Sequence, residues 1–291
     1  MLDSFQEAHA QARGCAAHLR LAIHRQTWRG QIGNWAGAGT GSSIDFQDHR
    51  PYLPGDDPRH IDWQAYARSG QTILKLYREE VSPSVDLLFD ASESMRFPDE
   101  KALQVLSLLL FCVESAQSLG VSLRVHGLTP EKAELWELPQ LLSGRISWPE
   151  QEAREEGSRI PQLEGLPLRH GSLRILISDL LFPAAEQSLL RKLGEGQGRV
   201  MFLVPWHPDE ADPDWKGNME LRDRERGVWR RQRVDEGILR RYKEAYAAHE
   251  NSWRDAARRY GAAFARVRAG QPLADALREE ALRLGVLEAW A

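Results

Sequence analysis

The chain has 291 residues, 42% hydrophobic and 27% charged, which fits an ordinary globular protein with one large domain or two modest ones. A formal net charge of −4 gives no general attraction to nucleic acid or anionic lipid, and the basic stretch from Arg222 to Arg233 is broken up by acids, so no nucleic-acid partner is expected. Cys15 and Cys112 are too few for a disulfide framework and fit a reducing compartment.

In chain order, residues 1–7 lack the basic start and apolar core of a signal peptide. Apolar Phe5, Ala8, Ala12, Cys15, Ala16, Leu19 and Ile23 recur at helical spacing and predict a helix or helix pair over residues 2–28. A glycine-rich segment, 30–41, interrupts it. Ile44 and Phe46 are the next apolar anchors, residues 50–58 are dense in turn formers, and 73–77 reads as a strand.

From residue 84 the pattern changes. Strands are predicted at 85–90, 121–128, 133–138, 173–177 and 199–204, with helices at 101–119, 149–156 and 184–193. Gly120 stands where a helix stops. Residues 212–223 read as a polar loop and 225–228 as a hairpin turn. A long amphipathic helix follows at 235–260, with Ile238, Tyr242, Tyr246, His249, Trp253 and Tyr260 on one stripe. A last strand at 262–267 and a helix at 273–284 close the chain. The longest apolar run, 105–113, falls far short of the ~20 residues of a membrane helix. A cytoplasmic protein with no membrane span is expected.

Strands and helices alternating in this way imply an α/β domain, a mostly parallel sheet with helices on both faces. The predicted division is an N-terminal helix and strand segment, 1–83, packed on a core domain, 84–291. Ligands of such sheets bind beyond the carboxyl ends of the strands. Asp90, Ser92 and Ser94 leave the first core strand there, one carboxylate with two hydroxyls, and Asp179 follows a later strand. Oxygen donors of this kind suit a hard divalent cation, Mg²⁺ or else Mn²⁺ or Ca²⁺, with a face left open. Such an ion can grip a partner's carboxylate or activate a water. The plainer alternative is a polar strand-to-helix turn in which the serines cap the helix.

The most specific pattern lies upstream: Arg50, Tyr52, Pro54-Gly55-Asp56-Asp57, Arg59, Ile61-Asp62-Trp63 and Ala67-Arg68, followed by a Lys75 strand, Glu79 and Glu80, and then Asp90-x-Ser-x-Ser-Met95. Over roughly residues 30–270 the chain resembles the bacterial family called domain of unknown function 58. The resemblance implies a von Willebrand factor A-like (Rossmann-like) domain with a metal-ion-dependent adhesion site, in which Asp90, Ser92 and Ser94 are first-motif ligands and Asp179 the later aspartate. It also implies partnership with MoxR-type AAA+ ATPases and other von Willebrand factor A-type proteins, in systems that assist assembly or metal loading of client proteins. Sites of this type add a threonine from a loop after the third strand. Here the threonines are Thr27, Thr40, Thr72 and Thr129, and only Thr129 falls near, after the second core strand. Ser143 or Ser147 is the substitute, or the ligand is absent.

Within the signature, Pro54-Gly55 marks a turn with positive φ at Gly55. Asp56, Asp57 and Asp62 are set to pair with Arg50, Arg59 and Arg68 and fix the loop; the alternative is a recognition surface beside the metal edge. Trp63 and Tyr66 read as core anchors. His49, Asp56, Asp57, His60 and Asp62 would also suit a metal-dependent hydrolase. Yet neither His-x-x-x-His nor Cys-x-x-Cys occurs in the loop, Gly-x-Ser-x-Gly is missing from the chain, and residues 37–41 lack the Lys-Ser/Thr ending of a phosphate loop. A non-enzymatic interaction protein is therefore expected, with the hydrolase and a scaffold carrying a vestigial metal site as alternatives.

Overall fold

The computed structural model describes residues 2–23, 46–53, 56–77, 83–145, 161–182, 186–222 and 229–290. The chain forms two units: residues 1–30 with 83–291, and residues 31–82. The N-terminal helix thus goes with the core, and the signature segment stands by itself. The predicted glycine-rich segment, Gly55, Glu79, Glu80, Ser147, the helix at 149–156 and the turn at 225–228 lie outside the described residues.

The larger unit opens with α1 (Leu2–Ala16) and β1 (Leu19–Leu21). The smaller unit holds β2 (Phe46–Pro51), α2 (Trp63–Ser69) and β3 (Ile73–Tyr77). The larger unit resumes with β4 (Ser84–Asp90), α3 (Asp99–Ser118), β5 (Ser122–Leu128), β6 (Ala133–Trp136), α4 (Leu138–Leu142) and β7 (Leu173–Ile177). Next come α5 (Glu186–Gly194), β8 (Arg199–Trp206), α6 (Pro208–Ala211), β9 (Gly217–Arg222) and β10 (Trp229–Val234). It ends with α7 (Glu236–Arg259), β11 (Ala263–Arg268), α8 (Leu273–Leu277) and β12 (Leu287–Ala289).

Six strands form the central sheet in the order β11-β8-β7-β4-β5-β6, all parallel except β6 at one edge. The expected α/β architecture is present. Strands β4 and β7 are buried on both faces, which is why they read as mostly apolar runs, with buried Asp86 and Arg174 as charged exceptions. Alternation divides their side chains: Leu87, Phe89, Ile175 and Ile177 join the core made by α1, α3 and α8, while Leu88 and Leu176 join Phe202 of β8, Trp253 of α7 and Leu189 of α5 on the other face.

Some expectations fail for tertiary reasons. The N-terminal helix stops at Ala16, because Leu19–Leu21 pairs antiparallel with β12, Leu21 opposite Leu287. The final helix is correspondingly shorter. It ends at Leu277 in a wider turn over Arg278–Leu282, releasing 287–289 for that pairing. Part of the supposed loop at 212–223 is β9, held by β10 with Arg222 opposite Trp229. Trp63 and Tyr66 are not core anchors. They are 61% and 44% exposed and meet edge to face at 6.1 Å. Tyr260 likewise drops off the inward stripe of α7, 45% exposed beyond the helix end.

Candidate metal centre

In the smaller unit the signature residues lock their own chain. Arg50 grips Asp56 with two parallel hydrogen bonds of 2.6 and 2.8 Å, and the Leu53 amide donates to the same carboxylate at 2.8 Å. Arg50 thereby holds the Asp56 pKa below its usual range. Asp57 accepts from the Arg59 guanidinium at 2.7 Å. Asp62 does not pair with Arg68, whose guanidinium donates to the Gln64 carbonyl. It caps α2 instead, accepting from Gln64 and Ala65 amides at 3.0 Å, and meets His49 Nε2 at 3.0 Å and Lys75 at 3.6 Å. Tyr52 is half-buried and its amide donates to the Thr72 carbonyl. The hydrolase set does not converge: among the described residues no three His, Cys, Asp or Glu side chains are grouped to hold a metal.

The cap gives Asp62 a pH signature. Hydrogen bonding from the Ala65 amide, then from His49, lowers its pKa from 3.8 to about 2. Because the folded value is the lower one, its stabilisation is complete above the unfolded pKa and is lost as pH falls from 3.8 toward about 2. Urea unfolding across that interval is expected to show a shallower acid loss in Asp62→Asn than in the parent chain. Parallel curves would dismiss this role.

At the carboxyl edge of the central sheet, β4 ends in Asp90, 1% exposed, and its neighbour β7 runs on into Ser178 and Asp179. Asp90 Oδ1 accepts from the Ser92 amide at 2.9 Å and Oδ2 from the Ser178 hydroxyl at 2.6 Å. The Ser92 and Ser94 hydroxyl oxygens are 3.0 Å apart. Neither acts as a cap: Ser92 precedes a 3₁₀ turn, Glu93–Arg96, without a side-chain cap bond, and Pro98 occupies the cap position of α3. The plain capping alternative therefore fails here. Burial, then the negative charge of Asp179, pushes the Asp90 pKa up to about 6.

Asp179 is engaged differently. Its Oδ2 accepts from Lys101 Nζ at 2.7 Å, and the same ammonium donates to Glu210 Oε1 at 2.6 Å. Asp179 Oδ1 takes the Leu181 amide at 3.1 Å. Between them Leu180 adopts a left-handed φ of 58°, a strained state for a leucine, with its amide on the Ser178 hydroxyl and its carbonyl 2.8 Å from His249 Nε2.

The structure thus brings Asp90, Ser92 and Ser94 together at one strand end, with Asp179 alongside but bound to a lysine. Thr129 closes its own turn, accepting from the Lys132 amide at 3.1 Å, and Ser143 is exposed and donates to Gln140. Sequence reasoning missed Lys101 and Glu210. Lys101 was detectable as a charged residue three and four positions before Gln104 and Val105 on the inward stripe of α3. Glu210 was detectable only as the third residue after His207, with which it makes a capping box at the start of α6.

The pattern of the family whose description is "Protein of unknown function DUF58" matches residues 48–252, from the signature block into α7. The chain belongs to the DUF58 family. Three uncharacterized proteins are similar to it, among them Rv1480 of Mycobacterium tuberculosis and Mb1516 of Mycobacterium bovis; each is 24% identical over 75% of this chain and 72% of its own length. Two solved structures are also similar, each matched over 69% of this chain and 98% of its own. They are the conserved hypothetical protein BatB from Bacteroides thetaiotaomicron, 16% identical with a TM-score of 0.33, and an aerotolerance-related membrane protein from Bacteroides fragilis, 13% identical with a TM-score of 0.34. In this DUF58 chain, no helix among the described residues is long and apolar enough to cross a membrane.

Proposed function

We propose that this DUF58 protein is a non-enzymatic interaction module, a von Willebrand factor A-like domain whose Asp90, Ser92 and Ser94 hold Mg²⁺, or Mn²⁺ or Ca²⁺, for a partner's carboxylate to complete. The partner inferred from the family resemblance is a MoxR-type AAA+ ATPase, with other von Willebrand factor A-type proteins, in assembly or maturation of clients. One observation carries the metal: Asp90 is buried, and among the described residues no basic side chain forms an ion pair with it. A buried carboxylate without a counter-cation is unfavourable unless a cation arrives or the group takes up a proton. Two hydroxyl oxygens lie on the same turn, a donor set that suits a hard divalent ion. When bound, that ion would supply an open electrophilic face, while Ser178 and the Ser92 amide keep the carboxylate oriented.

The test is binding to a MoxR-type ATPase with Mg²⁺, with chelator, and with Asp90→Ala. The expected result is a loss of about tenfold or more in affinity, roughly 1.4 kcal/mol, on either removing the ion or changing Asp90. Equal affinity in all three conditions sinks the adhesion mechanism. The Lys101–Asp179 pair favours one second reading, a scaffold with a vestigial site. That reading predicts a melting temperature indifferent to Mg²⁺.

A further inference from the structure

Lys101, from α3, is held between two carboxylates at this edge of the sheet. Its side chain is fully buried, and those of its partners Asp179 and Glu210 are 3% and 19% exposed. Burial works against the ammonium, but the charges of Asp179 and Glu210 outweigh it and hold its pKa above the usual lysine value. Glu210 is further fixed by the His207 amide, which donates to its other oxygen at 2.9 Å. Lys101 therefore cannot swing away without leaving two carboxylates buried and unpaired.

Resting on the metal reading above, we infer that Lys101 is a positioning residue: its ammonium keeps Asp179 out of a divalent ion's coordination shell and limits the protein's direct donors to Asp90, Ser92 and Ser94. Asp179 and Glu210 share the one Lys101 ammonium, and the charge of Asp179 is felt at Asp90. Were Asp179 free, it would close on the ion as a second charged ligand. Ligand charge count is a main determinant of affinity in such sites, so the ion would bind more tightly, and it would draw a partner's carboxylate less. The lysine holds the site at one charged ligand and leaves the ion's outer face electropositive. Specificity follows as well, since a shell with one carboxylate and neutral hydroxyls retains waters and open positions that a partner can take.

Two charge-conserving double variants isolate this effect. Lys101→Met with Glu210→Gln leaves Asp179 without its lysine. Lys101→Met with Asp179→Asn leaves the same net charge but no aspartate to coordinate. Mn²⁺ titration by calorimetry is expected to give a first variant that binds about tenfold more tightly than the parent chain, with the second within about threefold of it. Unchanged or weaker binding in the first variant, or equal tightening in both, overturns the inference. If the first variant is unfolded without metal, recovery of its melting transition on adding Mn²⁺ supports the inference, and failure to recover overturns it. No measurable binding by the parent chain, together with binding by the first variant only, upholds the role of Lys101 and removes the adhesion reading for the native protein.

Discussion

An Asp86→Ala variant is expected to lose about 3–5 kcal/mol of stability, the range seen when one partner of a buried ion pair is removed. Asp86 lies in β4 and is fully buried. It accepts from Arg169 Nε at 2.8 Å, from the Arg169 amide at 3.0 Å and from the Ser172 hydroxyl at 2.7 Å. Arg169 is only 17% exposed in its side chain, so the truncation strands a guanidinium away from bulk water. The same arginine reaches the Val85 carbonyl and the Ser122 hydroxyl, tying the loop before β7 to the start of β4 and β5. Urea unfolding measures the effect, and a loss below about 1 kcal/mol would mean that water or a shifted partner satisfies Arg169. The contrast with Asp90 is instructive. The two aspartates stand four residues apart on one face of one strand; the first is neutralised by the chain's own arginine and the second has no such partner among the described residues.

Trp253→Ala should be comparably damaging, at about 3–5 kcal/mol, through the lost burial and the cavity left behind. Trp253 is 1% exposed, and its ring meets Phe182 and Phe202 edge to face at 6.0 Å each. Its indole N–H lies 3.2 Å from His249 Nε2, the atom that also faces the Leu180 carbonyl. The side chain therefore supports both the core under α7 and the strained turn that carries Asp179. Trp253→Phe keeps most of the apolar area and is expected to lose clearly less. Equal losses in the two variants, by thermal or urea unfolding, would contradict a packing origin.

Much of the architecture was legible because the relevant signals are local. Apart from Asp86, Asp90 and Arg174, the runs at 85–90 and 173–177 are apolar on both faces, as a doubly covered strand favours, and both form strands. The stripe at 235–260 has a capping Asp235, which accepts from the Ile238 amide, and a Gly261 with φ 66° beyond it, so α7 falls where periodicity put it. The positions of Asp90 and Asp179 at strand ends followed directly. Two of the three acid–arginine pairs in the signature also formed, because residues two to six apart in a tight turn meet whatever else the chain does.

Periodicity and short spacings were enough to predict the parallel sheet, its two buried faces and the oxygen-bearing side chains at its carboxyl edge. Long-range packing, in contrast, draws Leu19–Leu21 out of a helical pattern to β12, leaves Trp63 and Tyr66 exposed, and gives Asp179 to Lys101. Each of these outcomes joins residues far apart in the chain or turns on which surface is left uncovered. A lysine seventy-eight positions from its aspartate leaves no mark on local patterning; its burial is favourable only once α3, β7 and α6 have brought two carboxylates to meet it.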